Sequence, residues 1–364
     1  MKYEQKNPVP LPAAGAFEDV PSSFMSTFDW QYALEREPLL ALYEKGKART
    51  WNASEIDWSI DVDLEKMARN RVAEGSHEVF NNLLDPPKRL GADESVQMQL
   101  EINAWMLSQF LHGEQGALLA TAKIVMAAPD EESKWYAANQ VQDEARHVEV
   151  YHRYLTEKLG CSYEVNPHLQ TLLDDIISDS RWDMTYLGMQ IMVEGLALAA
   201  FGMMKAQMPD EPLIQDITAR IMQDEARHVA FGVLTLEDLY RNQLTSAELR
   251  EREEFVIEST YLMRDRLLME QVYARLGWDV PTWVNWAKET PFMTAFRQML
   301  FSKIVPNLKR LGLLTPRVRE EYAKLGILQF EHNKDSTLEP EIEAPVEFLS
   351  LIDRLRGADE RKAS

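Results

Sequence analysis

The heptapeptide Gln-Asp-Glu-Ala-Arg-His-Val stands at residues 142–148 and again at 223–229, an offset of 81 positions. Seven residues in one order do not recur by chance, so two parts of the chain share a structural plan. Each copy follows a segment in which one glutamate sits among apolar and small residues, LSQFLHGEQGALLA around Glu114 and MQIMVEGLALAAF around Glu194. Glu114 lies 30 positions before Glu144, and Glu194 lies 31 before Glu225. The chain therefore carries two similar helix pairs.

Glu and His at i and i+3 share one helix face, about a turn apart, so Glu144 with His147 and Glu225 with His228 can each grip one ion. Glu114 and Glu194 complete the set: one Glu from each of two helices and Glu-x-x-His from the other two, the donor pattern of a dinuclear carboxylate site in a four-helix bundle. Four carboxylates and two neutral imidazoles carry four negative charges, which two divalent ions cancel. Without them the cluster must take up protons to exist in an apolar bundle. Oxygen and imidazole donors suit iron(II) or manganese(II), whereas zinc prefers fewer ligands. Two iron ions are expected, with manganese or a mixed Mn/Fe pair also compatible. A single Glu-x-x-His is ordinarily a surface ion pair. That reading leaves Glu114 and Glu194, set in apolar helices, without a reason.

Asp143 and Asp224 precede the Glu of each motif and are suited to accept the second imidazole N–H of a metal-bound histidine. Neighbours on a helix diverge by about 100°, so each aspartate is expected to serve the histidine of the other helix. Arg146 and Arg227 are placed to neutralise them. Residues one turn from Glu114 and Glu194 are expected to border one cavity: Phe110, Ala117, Leu198 and Phe201, with Gly113 and Gly195 leaving space. His112 faces away from Glu114.

Helical signals dominate after residue 28. Helices are predicted over 32–47, 64–84, 93–128, 131–159, 166–178, 182–207, 212–242, 246–275, 292–311 and 315–325, with stops at Pro86, Pro129, Gly160 and Pro209. No convincing strand alternation occurs. The expected organisation is an extended arm over 1–28, one helical domain over 29–330 containing the metal site, and a loosely attached acidic tail over 331–364. The apolar run 187–204 is long enough to raise the membrane question, but Gln190 and Glu194 within it are costly in lipid, so it reads as a buried helix.

A formal net charge of −20, with no Lys/Arg cluster, argues against nucleic acid and anionic lipid as partners. Cys161 is the one cysteine, so an internal disulfide, a Cys-x-x-Cys site and a thiolate iron–sulfur cluster are excluded. The start, MKYEQKNPVPLPAAG, has no basic segment followed by an apolar one, and a cytoplasmic location is expected.

The four-helix motif resembles the ferritin-like superfamily, in the branch that holds bacterial multicomponent monooxygenase hydroxylases, acyl-carrier-protein desaturases and the small subunit of class I ribonucleotide reductase. The resemblance covers roughly residues 45–240 and fills all six ligand positions. It implies an all-α, ferritin-like four-helix bundle with additional N- and C-terminal helices. In the arylamine N-oxygenase branch an extra His precedes the last Glu-x-x-His by one turn; here that place is Ile221. Tyr151, one turn past His147, matches the radical tyrosine of the reductase subunit, and Trp51 resembles the tryptophan of its electron path, with Asp224 and His147 as matching partners. Against that role, the first ligand is Glu114 rather than Asp, and no relay tyrosine follows Tyr322. The hydroxylases carry a threonine one turn after the third-helix glutamate, where this chain has Ala197 and Leu198.

The resemblance implies an O2-dependent di-iron oxidoreductase, with hydroxylation of a small, largely apolar substrate as the first expectation. An electron-donating reductase and a homodimer are the expected partners, without nucleic acid or membrane insertion. Acyl-chain desaturation is the alternative reaction. A non-catalytic or radical-storing dimetal protein built on Tyr151 is the alternative class.

Overall fold

The structure, a computed structural model, describes residues 17–338. Among them helices alone form the regular elements: α1 Glu37–Ala48, α2 Leu64–Ala73, α3 Ser76–Leu84, α4 Ala92–Ala127, α5 Glu131–Arg153, α6 Pro167–Ser178, α7 Trp182–Tyr186, α8 Glu194–Gln207, α9 Pro212–Asp238, α10 Ser246–Asp265, α11 Glu270–Arg275, α12 Val280–Glu289, α13 Pro291–Met299, α14 Ile304–Leu311 and α15 Pro316–Lys324.

Four long rods make the centre, and their ends are set by local chemistry. The 36 residues of α4 start where Glu94 accepts the backbone N–H of Gly91 at 3.1 Å, and Pro129 prevents continuation. Asp130 caps α5 by accepting from Ser133 N at 2.8 Å. That helix runs on through a π turn, Tyr154–Leu159, to Gly160 at φ 67°. A second π turn, Leu187–Val193, joins α7 to α8, so Trp182–Gln207 is one long rod. It is long and apolar enough to cross a membrane, yet 94% of its most apolar window is buried inside the protein. Glu211 caps α9, accepting from Leu213 N at 3.0 Å and Ile214 N at 2.6 Å. The tight connections 128–130 and 208–211 pair α4 with α5 and α8 with α9, and the two pairs close into an all-α four-helix bundle. α1 lies across α5 and α9, α2 and α6 lie on α4, and α14 lies on α9.

Several predicted spans are broken. The first helix begins at Glu37 rather than 32, because Tyr32 is left-handed at φ 51° and Pro38 favours a helix start just before it. The span 64–84 splits at Gly75, φ 96°, and 246–275 splits at Met269, φ 56°. The span 292–311 is interrupted at Leu300–Ser302 by a 3-10 turn. α12 was not anticipated. Its Trp283 stacks on Trp278 with centroids 4.1 Å apart.

The arm stays non-helical as far as residue 36 and is tied down: Ser22 Oγ donates to Ile177 O at 2.9 Å, and Thr27 N to Met126 O at 2.9 Å. Residues 331–338 are attached firmly, not loosely. Ser336 N donates to Asn307 Oδ1 at 2.9 Å and Asp335 pairs with Arg310 at 2.9 Å. The rest of the predicted tail, and residues 1–16 of the arm, lie outside the described residues.

Candidate metal centre

Each of the four rods contributes from mid-length, where neighbours on all sides remove water. Glu114 comes from α4, Glu144 and His147 from α5, Glu194 from the first position after the π turn, and Glu225 and His228 from α9. None is more than 5% exposed. Potential ligand atoms of Glu114, Glu144, His147 and Glu225 lie within 4.8 Å of one another, and so do those of Glu144, Glu194 and His228. Glu144 belongs to both groups and could serve either ion.

Both imidazoles turn Nδ1 inward. His147 Nδ1 lies 3.2 Å from Glu114 Oε2 and 3.2 Å from Glu225 Oε1; His228 Nδ1 lies 3.1 Å from Glu144 Oε1. The outward nitrogens cross over as expected: His147 Nε2 donates to Asp224 and His228 Nε2 to Asp143, each at 3.2 Å. That fixes the tautomer leaving both Nδ1 lone pairs toward the cluster. Arg146 pairs closely with Asp143 and Arg227 with Asp224, each also 3.9 Å from the opposite aspartate. Trp51 Nε1 donates to Asp224 Oδ2 at 2.7 Å, and its ring stacks on His147 with centroids 6.4 Å apart.

The electrostatics are those of a site made for cations. Burial, then the negative charges around it, pushes the Glu114 carboxyl up to about 8 even though His147 opposes this. Burial followed by Glu225 and Glu144 raises Glu194 well above the carboxylate range. Burial works against charging His147 and His228, but Glu114 beside the first, Glu144 and Glu225 beside the second, and the aspartate hydrogen bonds outweigh it, so both are raised. Among the described residues, Glu144 Oε2, Glu194 Oε2 and both carboxylate oxygens of Glu225 have no hydrogen-bond partner. Buried acceptors of this kind require cations or protons, and the donor set fits two divalent ions.

Two neighbours escaped the sequence reading. Gln140, fully buried one turn before Glu144, donates to Glu144 Oε1 and to Glu194 Oε1, both at 2.9 Å. Asn139 Nδ2 donates to Asp143 Oδ2 at 3.3 Å. The available signal for Gln140 was the repeat itself, which places Ile221 at the matching position of α9.

The expected cavity wall needs correcting. Phe110 packs on Phe201 edge to face at 4.6 Å and on Tyr151 at 5.8 Å, and Tyr151 lies 6.1 Å from Phe201, so three rings fill the space expected to stand open. Ala117 and Leu198 are buried as anticipated. At Gly113 a Cβ would meet nothing within 4 Å, so the glycine leaves open space. Gly195 accommodates Ile304, whose Cγ1 would lie 3.0 Å from its Cβ. The Tyr151 hydroxyl has no hydrogen-bond partner among the described residues. His112 bonds Tyr163 O at 2.8 Å, away from the cluster.

An apolar cavity of about 410 Å³ does lie further along the same rods. Met98, Ile102 and Met106 of α4 and Ala206 at the end of α8 line it, with Tyr273 and Trp283 opposite. Met106, Phe110 and Glu114 are successive turns of α4, so the three rings stand between cavity and cluster.

No family model matches the sequence, and no curated protein is similar to it at a significant level. Among solved structures, an R2-like ligand-binding oxidase (V72I mutant) with an anaerobically reconstituted Mn/Fe cofactor is 17% identical. It overlaps 75% of this chain and 93% of that one at a TM-score of 0.45. The same kind of oxidase with an aerobically reconstituted Mn/Fe cofactor is 16% identical, overlapping 84% and 93% at a TM-score of 0.44.

Proposed function

We propose that the chain is an O2-dependent dimetal oxidoreductase of oxygenase type, holding two iron ions, or manganese in one or both places, and acting on a small, largely apolar substrate. The observation that carries this reading is the convergence of Glu114, Glu144, His147, Glu194, Glu225 and His228 in a dry bundle, with both Nδ1 atoms and four partnerless carboxylate oxygens turned to one space. When bound in the reduced state, such a pair supplies the electrons that convert O2 into an oxidant.

The rest is the work of the protein. Asp143 and Asp224 hold the outward imidazole protons, so His147 and His228 stay fixed as ligands. The one amide group of Gln140 ties Glu144 to Glu194, whereas among the described residues no such hydrogen bond holds the carboxylate of Glu225, which would be held by the ions. Phe110, Tyr151 and Phe201 exclude water from one end of the cluster and separate it from the apolar cavity, and the dry, apolar surroundings of the centre support an apolar substrate. Trp51, Asp224 and His147 form a hydrogen-bonded line toward α1 along which an external reductase can deliver electrons.

Anaerobic loading with iron(II) followed by oxygen-electrode measurement tests the reading. Prompt O2 consumption, with oxidation of the bound iron, is expected. Protein that stays ferrous in air for hours rejects oxygen chemistry while leaving the metal site standing.

A further inference from the structure

The two halves of the bundle match in their ligands and differ beside them. Phe110 stands four positions before Glu114, and Gln190 four before Glu194; Tyr151 stands four after His147, and Gly232 four after His228. The same cross-helix contact is kept in both halves. Phe110 meets Tyr151 at 5.8 Å, and the Gln190 stem passes over Gly232 so closely that a Cβ on the glycine would lie 2.6 Å from Gln190 Cβ. A third pair follows the same register: Phe201, seven positions after Glu194, answers to Thr121, seven after Glu114. One end of the cluster is thus walled by three rings, and the equivalent end by an amide, a hydroxyl and a glycine.

That second end is chemically incomplete. Gln190 and Thr121 are fully buried, and neither the Gln190 amide nitrogen, the Gln190 amide oxygen nor Thr121 Oγ1 has a hydrogen-bond partner among the described residues. A buried amide left unpaired costs stability, and a leucine would fill the same volume without that cost. Gln190 also sits within the π turn Leu187–Val193, a distortion that often marks functional positions.

Resting on the reading of the centre as an oxidoreductase, we propose that Gln190, whose stem is seated on Gly232, forms with Thr121 a hydrogen-bonding subsite beside Glu194 and His228 that orients the substrate by one neutral polar group. The amide offers both donors and an acceptor. Its complement is a group that both accepts and donates, such as a primary amide or a hydroxyl; a carboxylate only accepts and an ammonium only donates. The substrate class is accordingly an apolar molecule with one such group.

Calorimetry on anaerobic iron(II)-loaded protein tests this without turnover, with butyramide and N,N-dimethylbutyramide as probes that share an acceptor and differ in N–H donors. Wild type is expected to prefer butyramide by roughly tenfold or more, since a site built to hydrogen-bond rejects the analogue lacking the donor. Gln190→Leu should abolish the preference with metal content unchanged and the melting temperature equal or higher. Gly232→Ala, whose methyl displaces the Gln190 stem, should abolish it too and serves if the leucine variant does not fold. Equal binding of the probes by wild type, or a preference that survives either substitution, overturns the proposal. So does a lowered melting temperature in Gln190→Leu with the preference intact, the mark of a purely structural amide. Because no O2 is present, failure here is separate from failure of the oxygen reaction.

Discussion

Trp51 donates its indole N–H to Asp224 Oδ2 at 2.7 Å, and the same carboxylate oxygen receives His147 Nε2 at 3.2 Å. One buried acceptor therefore joins a tryptophan outside the bundle to an imidazole inside it. Trp51→Phe keeps the ring stacked near His147 but breaks the line. Metal content should stay at the wild-type level and stability should fall by about 1 kcal/mol. Reduction of the oxidised centre by a chemical donor, followed by stopped-flow absorbance, should slow roughly fivefold or more. Unchanged reduction kinetics would remove Trp51 from electron delivery.

Glu144 and His228 differ in what their loss should do. Glu144 belongs to both groups of convergent donors, and His228 to one. Elemental analysis should find about two ions per wild-type chain, about one in His228→Ala, and less than one in Glu144→Ala. Metal should also raise the unfolding free energy of wild type, by about 2.7 kcal/mol when free metal is a hundredfold above Kd. Full loading in both variants would dissolve the six-residue assignment.

Protons and metal should compete, and the sign follows from Glu114. Its folded value is pushed up to about 8 from 4.5 by burial first and by the neighbouring Glu225 and Glu144 charges. Between those values the metal-free folded state binds more protons than the unfolded state, so its stability falls as pH rises through that window. Metal replaces those protons, so affinity should rise over the same interval. Melting curves of metal-free protein should drop from pH 5 to 8, while calorimetry in buffers of different ionisation enthalpy records proton release on loading. A pH-independent metal-free melting temperature contradicts the electrostatics.

The ligand set was legible because it is written twice: a period of 81 residues and the Glu-x-x-His spacing specify helices, faces and donors together. The crossed Asp143–His228 and Asp224–His147 pairs followed from helix geometry alone. What stayed hidden depends on which way a helix is turned. Gly113 leaves open space, whereas Gly116, three positions on, packs so tightly under Leu173 that a Cβ would come within 2.5 Å. The breaks at Tyr32 and Met269 depend on left-handed backbone at residues whose identity does not require it.

Gln140 belongs to the same hidden class, since a glutamine one turn before a ligand is ordinary in a helix until its amide is seen between Glu144 and Glu194. Gln140→Leu should keep the fold and weaken metal binding roughly tenfold, within the range for groups that hold ligands in place. Competition with a chelator measures it. Wild-type affinity in that variant would reduce the contact to packing.

Tyr151 is the decisive asymmetry between the aromatic end and the rest. Its phenol is fully buried between Phe110 and Phe201, without a hydrogen-bond partner among the described residues, and burial, then the Glu114 charge, raises its pKa well above the ordinary value. The hydroxyl therefore positions no ligand, contrary to the role that hydrogen bonding would give it. A tyrosine stores an oxidising equivalent only if its proton can leave to a nearby acceptor as the electron departs, and none bonds Tyr151 Oη. The expected outcome is no persistent tyrosyl signal in electron paramagnetic resonance after oxygenation of the iron(II)-loaded protein. Tyr151→Phe should keep full metal content and match or exceed wild-type stability, by up to about 1 kcal/mol, because it removes an unpaired buried hydroxyl. A lasting radical that disappears in Tyr151→Phe with metal loading unchanged would reverse the conclusion and make this centre a generator of stored radical rather than an oxygenase.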